Sequence, residues 1–180
     1  MTDFMNVIKG RRSIRAYQEK DIPEESLNQV LESIKWSPSW ANSQCWEVIV
    51  VKDPARKEKL KEVLTEKNPA QRAFSQAPVV IALCAKTKTA GYYKGRPDTK
   101  LGDWFMFDLG IAAQTLCLTA HSLGLGTVIV GALDHEKGKE ILGIQGEYEL
   151  VALIPIGYPA KEPSAPKRRE IKDFVRYEVF

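Results

Sequence analysis

Apolar residues at Leu27, Val30, Leu31 and Ile34 fall at i, i+3, i+4 and i+7, the spacing of a helix with one buried face. Pro23 suits a first helical turn, Glu24 and Glu25 follow it, and Ser37-Pro38 closes the segment, because the residue before a proline is pushed out of the α region. A helix is therefore predicted over 23–36. Trp46 to Lys52 reads as a strand, and Pro54 to Lys67 as a charged helix with one face made by Leu60, Val63 and Leu64. The continuous apolar run Pro78 to Ala85 reads as a buried strand. Thr87 to Gly102 has no period and carries glycines and a proline, so it is expected to be a mobile connection. Asp103 to Leu123 is a long helix, apolar on nearly all sides, stopped by Gly124 and Gly126. A helix of that kind is buried, and in a chain of 180 residues a partner chain is the expected cover. A short strand over 127–130, a helix over 136–142 and a strong strand over 149–157 complete the order.

Mixed helices and strands with few hairpin signals indicate α+β or α/β, with helices flanking a mixed central sheet. The length suits one domain over 1–180. Residues 160–180 are rich in proline and lysine yet include Ile171, Phe174 and Val175, so they are expected to pack as an extension on a neighbouring subunit.

Composition narrows the function. A hydrophobic fraction of 44% suits a folded globule, and a net charge of +3 is too small to argue for nucleic-acid binding. The distribution says more. Without Arg11, Arg12, Arg15, Lys167, Arg168 and Arg169 the balance turns negative, so the positive excess sits in two short clusters. An anion site needs such clusters, although solvated basic patches look the same. Cys45, Cys84 and Cys117 form no Cys-x-x-Cys pair, which fits reduced thiols in the cytoplasm rather than a disulfide framework or metal site. No secretory leader or membrane span is expected.

Two segments concentrate chemistry. Arg11-Arg12-Ser13-Ile14-Arg15 groups guanidiniums and a hydroxyl, which match the charge and acceptor oxygens of a phosphate monoester. Ser37-Pro38-Ser39-Trp40-Ala41-Asn42-Ser43-Gln44-Cys45-Trp46 is a polar loop framed by aromatics. Its amides Asn42 and Gln44 can match the donor and acceptor edge of a flat heterocycle, and Trp40 can stack on a ring or roof a pocket. Each segment also has a plain reading, as a basic turn and as a capping turn before a strand. Gly124-Leu125-Gly126 has the wrong spacing and the wrong flanking elements for a dinucleotide fingerprint. No nucleophile elbow or metal cluster is evident. His121 reads as a packed or capping residue and His135 as exposed. Phosphate and ring anchors without an acid, base or nucleophile suggest that a cofactor carries the chemistry.

Taken in order, these pieces resemble the nitroreductase family of FMN-dependent oxidoreductases over essentially the whole chain. The resemblance rests on Arg11 to Tyr17, on Ser37 to Trp46, on Asp103-Trp104 and Asp108 opening the long helix, on Ser122 to Thr127, and on Pro155-Ile156-Gly157-Tyr158-Pro159 followed by a basic pair. It implies a nitroreductase-like α+β fold and a homodimer with the long buried helix at its interface and two FMN sites between subunits. Arg11, Arg12, Ser13, Arg15 and one of Arg168 or Arg169 would hold the phosphate end, Arg168 fitting better. Pro38, Ser39, Trp40, Asn42 and Gln44 would reach the cofactor from the other subunit, and backbone near Val130 and Gly131 would face the ring. NADH or NADPH would reduce the flavin, and a nitroaromatic, quinone or similar small acceptor would then take the electrons at the same place. Cys45 and Trp40 depart from the family's usual proline and small residue, and Val130 from an acidic residue found in some members. Dehalogenation, flavin fragmentation and a non-enzymatic nucleotide-binding module are the competing functions.

Overall fold

A computed structural model describes residues 3–180. In chain order its elements are α1 (Phe4–Gly10), α2 (Glu24–Lys35), β1 (Trp46–Val51), α3 (Pro54–Glu62), α4 (Gln71–Gln76), β2 (Val79–Lys86), β3 (Tyr92–Tyr93), β4 (Arg96–Pro97), α5 (Phe105–Ser122), β5 (Gly126–Thr127), α6 (His135–Leu142) and β6 (Tyr148–Gly157). The fold is α+β. A four-stranded sheet runs β1-β2-β6-β5, and each of its ladders is antiparallel. The parallel component expected of a mixed sheet is reduced to a single bridge between Ser13 and Thr127.

The sheet is covered on both faces, which explains why β2 reads as an unbroken apolar run. Val80, Ala82 and Cys84 belong to a core with Leu60, Ala73 and Phe74 of α3 and α4. Val79, Ile81, Leu83 and Ala85 belong to a second core with Leu27, Val30 and Ile34 of α2 and Leu109, Leu116 and Ala120 of α5. A fully buried leucine or isoleucine in such a core contributes about 1.5–3 kcal/mol relative to exposure.

Several boundaries differ from expectation for local reasons. The helix expected over 54–67 ends at Glu62, while Val63 and Leu64 stay buried in the turn beyond it. Of the strand expected over 127–130, Gly126–Thr127 forms the ladder, and Val130 adds an isolated bridge to Leu153. The connection expected to be mobile holds the β3–β4 hairpin, whose turn residues Lys94 and Gly95 both take positive φ, at 49° and 76°. That pair of φ signs is what a tight two-residue hairpin demands. His135 is not exposed. It opens α6 half-buried, with Nδ1 2.7 Å from the carbonyl oxygen of Leu150.

Helix α5 is not covered on all sides within one chain. Asp108, Leu109, Ala112, Leu116 and Ala120 are buried, while Met106 and Phe107 stand 60% and 61% exposed. The tail past Ala160 forms one short helical turn at Ile171–Asp173, and its Ile171 and Phe174 lie open as well. Cys45, Cys84 and Cys117 are free and buried, as small core residues. Among the described residues no helix is long and apolar enough to cross a membrane.

Candidate functional site

The arginine segment is held at the β5 edge of the sheet. Ser13 bridges Thr127, and the Ile14 amide donates to the Thr127 carbonyl at 2.9 Å. The approach is close because residue 126 is glycine: a Cβ there would lie 2.4 Å from Ile14 Cγ1. Ile14 and Tyr17 are buried, and the Tyr17 hydroxyl lies 2.9 Å from the carbonyl oxygens of both Ile14 and Pro155. Burial pushes that phenol far above its ordinary pKa, so it is a structural tie. With Ile14 turned inward, Ser13 and Arg15 face out along the extended chain.

Outside this segment lies a hollow of about 270 Å³, bounded by Arg11, Arg12, Ser13, Arg15, Ser164 and Arg168. Four arginines and two serines thus border one space. A neighbouring cavity of about 740 Å³ shares Ser13, Arg15 and Ser164 with it and adds Arg72 and Lys161. That size falls within the roughly 300–1,000 Å³ of small-molecule pockets. Arg72 and Lys161 are absent from the sequence-derived set. Arg72 sits on α4, a helix of six residues with no readable period, and Lys161 in a stretch that looks like tail. A third cavity, about 250 Å³, shares Arg11 and Arg12 with the hollow and is lined further by Gly10, His121, Thr127 and Glu162. Burial, and then the Arg11 guanidinium, push the His121 imidazole below its ordinary value.

The C-terminal basic pair divides. Arg168 borders the hollow, whereas Arg169 donates to the carbonyl of Asp173 and lies over the Phe174 ring, turned into its own segment. Arg12 is partly committed too, donating to the Lys9 and Arg11 carbonyls at 2.6 and 2.9 Å.

The polar loop lies at the other edge of the sheet, leading into β1. Pro38, Asn42 and Gln44 are exposed, and Ser39 and Trp40 half-buried. Its backbone is held in an uncommon shape: Ala41, Asn42 and Gln44 have φ of 44°, 54° and 47°. A non-glycine residue in that region carries roughly 1–2 kcal/mol of strain, so the surroundings must hold it there. The holding group is Asp108, buried in the first turn of α5 and 1% exposed. Its two carboxylate oxygens accept from the Trp40 amide at 3.1 and 3.0 Å, with the Ser43 hydroxyl at 3.5 Å and Cys45 Sγ at 3.7 Å. Burial and the Asp108 carboxylate push the Cys45 thiol up to about 12, so it stays a thiol at neutral pH. Ser37 Oγ donates to Thr115 Oγ1 on the same helix at 3.1 Å, and the Gln44 amide to Ser39 Oγ at 3.0 Å. The Trp40 ring packs on Trp104, 5.0 Å between centroids.

In one chain the two segments sit on opposite edge strands of the sheet, β5 and β1. Three strand spacings of about 4.8 Å put them roughly 14 Å apart or more. The site expected at Val130 and Gly131 is also only half available. Val130 is buried, and its N–H and C=O are both engaged with Leu153, at 3.0 and 2.9 Å, leaving exposed Gly131 as the outward-facing residue. Among the described residues no cluster of His, Cys, Asp and Glu is placed to hold a metal ion.

The same architecture occurs in a nitroreductase family protein of Clostridium novyi NT, with a TM-score of 0.79, 28% identity, and coverage of 88% of this chain and 86% of that one. The sequence model of the Nitroreductase family matches residues 8–73 and 61–158, and the chain belongs to that family. It is 33% identical over 165 residues to a Methanothermobacter thermautotrophicus protein provisionally named NADH dehydrogenase/NAD(P)H nitroreductase, covering 89% of this chain and 80% of that protein. It is 31% identical over 189 residues to the FMN reductase [NAD(P)H] of Bacillus subtilis, covering 99% and 74%. Further matches at 24% and 28% identity carry the names iodotyrosine deiodinase 1 and 5,6-dimethylbenzimidazole synthase, so family membership alone leaves the acceptor open.

Proposed function

We propose that the protein is an FMN-dependent oxidoreductase, active in the cytoplasm as a homodimer, that takes electrons from NADH or NADPH and delivers them to a nitroaromatic, quinone or similar small electrophilic acceptor. The observation that carries this reading is the convergence of Arg11, Arg12, Ser13, Arg15 and Arg168 on one hollow beside a pocket-sized trough. The donor set suits FMN. Guanidiniums and hydroxyls match its phosphate, and the amides of Asn42 and Gln44 match the edge of its ring. Bound FMN would supply the two-electron redox chemistry for which the chain has no side-chain machinery.

The chain's own residues bind, orient and tune. Arg11 and Arg168 neutralise the phosphate, and a hydrogen bond to a charged group is worth roughly 1.5–3 kcal/mol. Arg15 is exposed and borders both hollow and trough, placed to stabilise negative charge on a reduced ring. Trp40 and Trp104 form an aromatic wall against which a flat acceptor can stack. The loop and the arginine segment occupy opposite sheet edges, so in a pair of chains the loop of one copy can meet the arginine segment of the other at a single ligand. The open α5 face and the apolar tail supply surface for that pairing.

Purification tests the reading. A yellow protein absorbing in the blue is expected, releasing a ligand with the mass of FMN, and oxidising NADH or NADPH with menadione or a nitroaromatic. Initial rates at several acceptor concentrations should give parallel double-reciprocal lines, because donor and acceptor use the same place in turn. A yellow protein inactive in this assay but active on a halogenated phenol or on its own flavin would move the chemistry elsewhere in the family. A colourless protein that retains RNA would end the reading.

A further inference from the structure

The loop from Pro38 to Gln44 does not hold its shape by itself. Three of its residues take left-handed φ, and the loop lacks the glycines that would make this easy. What opposes the strain lies beneath it, on another element. Asp108 interrupts the apolar pattern of α5, yet it is almost completely buried and has no cation within ion-pairing distance among the described residues. Its side-chain hydrogen bonds run to the loop and its exit: the Trp40 amide on both oxygens, the Ser43 hydroxyl and the Cys45 thiol. A carboxylate is costly to bury, and here its partners are neutral donors within the six residues from Trp40 to Cys45. The same helix turn grips the other end of Trp40. Trp104 packs against its indole at a 43° tilt, is tied by its own Nε1–H to Thr99 Oγ1 at 2.8 Å, and fits only because residue 91 is glycine, where a Cβ would lie 2.4 Å from Trp104 Cδ1.

We propose that Asp108 is a positioning residue for cofactor binding: it sets the loop in the shape that presents Asn42 and Gln44, without touching the ligand. This rests on the FMN reading above and adds to it a residue on the β1 side that acts through backbone geometry. An aspartate in this place offers two coplanar acceptors that fit one amide and its neighbours at once. An asparagine keeps one acceptor and turns a donor toward Ser43, and an alanine keeps none.

The test compares FMN with riboflavin, which lacks the phosphate. Stripped protein is titrated with each, following flavin fluorescence, while amide hydrogen exchange is measured on residues 38–45 of the unliganded protein. Asp108→Ala should weaken FMN and riboflavin by the same factor, thirtyfold or more, and speed exchange of the Trp40 amide at least tenfold. Asp108→Asn should recover most of the loss, leaving a three- to tenfold deficit for both ligands. Arg11→Ala gives the contrast, since it should weaken FMN and leave riboflavin unchanged. A folded Asp108→Ala protein that binds both flavins within twofold of wild type overturns the inference while leaving the FMN reading intact. If Asp108→Ala does not fold, Asp108→Asn decides, and wild-type affinity for both flavins counts against the proposal. A wild-type protein that binds no flavin removes the reading itself, and the inference with it.

Discussion

At the β5 edge the candidate site is made of long charged side chains on an extended segment and a tail; at the β1 edge it is made of backbone. Arg11, Arg15 and Arg168 reach their hollow through flexible stems, and their surroundings are largely open to solvent. The loop at Pro38–Gln44 has its torsions preset by a buried carboxylate, a serine–threonine tie to α5 and a tilted indole contact. The first arrangement suits a phosphate, which is symmetric and tolerant of small displacements, and for which charge is the main currency of attraction. The second suits a planar ring, for which a misplaced donor is a lost hydrogen bond. If both ends hold FMN as proposed, affinity and geometry would be carried by different ends of the site, and substitutions at the two ends should fail in different ways.

The largest expected effect is at the charged edge. Arg11→Ala and Arg168→Ala should each lower FMN affinity about tenfold to a hundredfold, from about 1.5–3 kcal/mol per charge-assisted contact, with little change in melting temperature. Fluorescence titration and calorimetry on the same samples would show it, and retention of FMN at wild-type strength would remove these residues from the site.

Next comes the junction that puts that edge in place. Gly126→Ala forces a methyl group into Ile14, where no flexible chain end can give way. Overpacking of this kind costs about 1–3 kcal/mol. Chemical denaturation should report that loss, and flavin affinity should fall with it because the Ser13 bridge is displaced. Unchanged stability would mean that the segment is not held as described.

Arg15→Gln should act on redox properties more than on binding. Removing its charge should lower the midpoint potential of the bound flavin and slow its reduction by NADH or NADPH. An unchanged potential would leave Arg15 as a phosphate contact only.

The smallest effect is at His121. Its imidazole is held below its ordinary pKa by burial and by Arg11, so the unfolded chain takes up a proton before the folded one. Stability present above about pH 6.5 is therefore lost as pH falls through the folded value, and then levels off. His121→Asn should narrow the difference in melting temperature between pH 7.5 and pH 5. A difference equal to that of wild type would place the acid sensitivity elsewhere.

Much of this division was legible in the chain. The spacing of Leu27, Val30 and Ile34 and the run Val79 to Ala85 announce elements because burial on one or both faces leaves a periodic or continuous apolar trace. The two chemical segments are visible because each gathers its polar groups within a few residues of the chain, Arg11 to Arg15 and Ser37 to Gln44. Short elements leave less trace. Helix α1 buries Val7 alone, and α4 only Ala73 and Phe74, too few to set a period. The β3–β4 hairpin turns on Lys94-Gly95, without the Asn-Gly pair that usually marks such a turn. The choice between Arg168 and Arg169 depends on which way two adjacent side chains point, which no local pattern encodes. Asp108 did leave a mark, as an acid inside an apolar helix, but its meaning comes from a loop 65 to 68 residues away in the chain.

The central claim is that the charged edge of one chain and the preset loop of another hold one FMN between them. Co-expression of an Arg11→Ala/Arg168→Ala chain with an Asn42→Ala/Gln44→Ala chain, each carrying a different affinity tag, tests it directly. Both homodimers should bind FMN weakly. The tandem-purified mixed dimer combines two intact halves at one site and two defective halves at the other, so it should bind one FMN per dimer with wild-type affinity. A mixed dimer that binds no better than either parent would contradict the account.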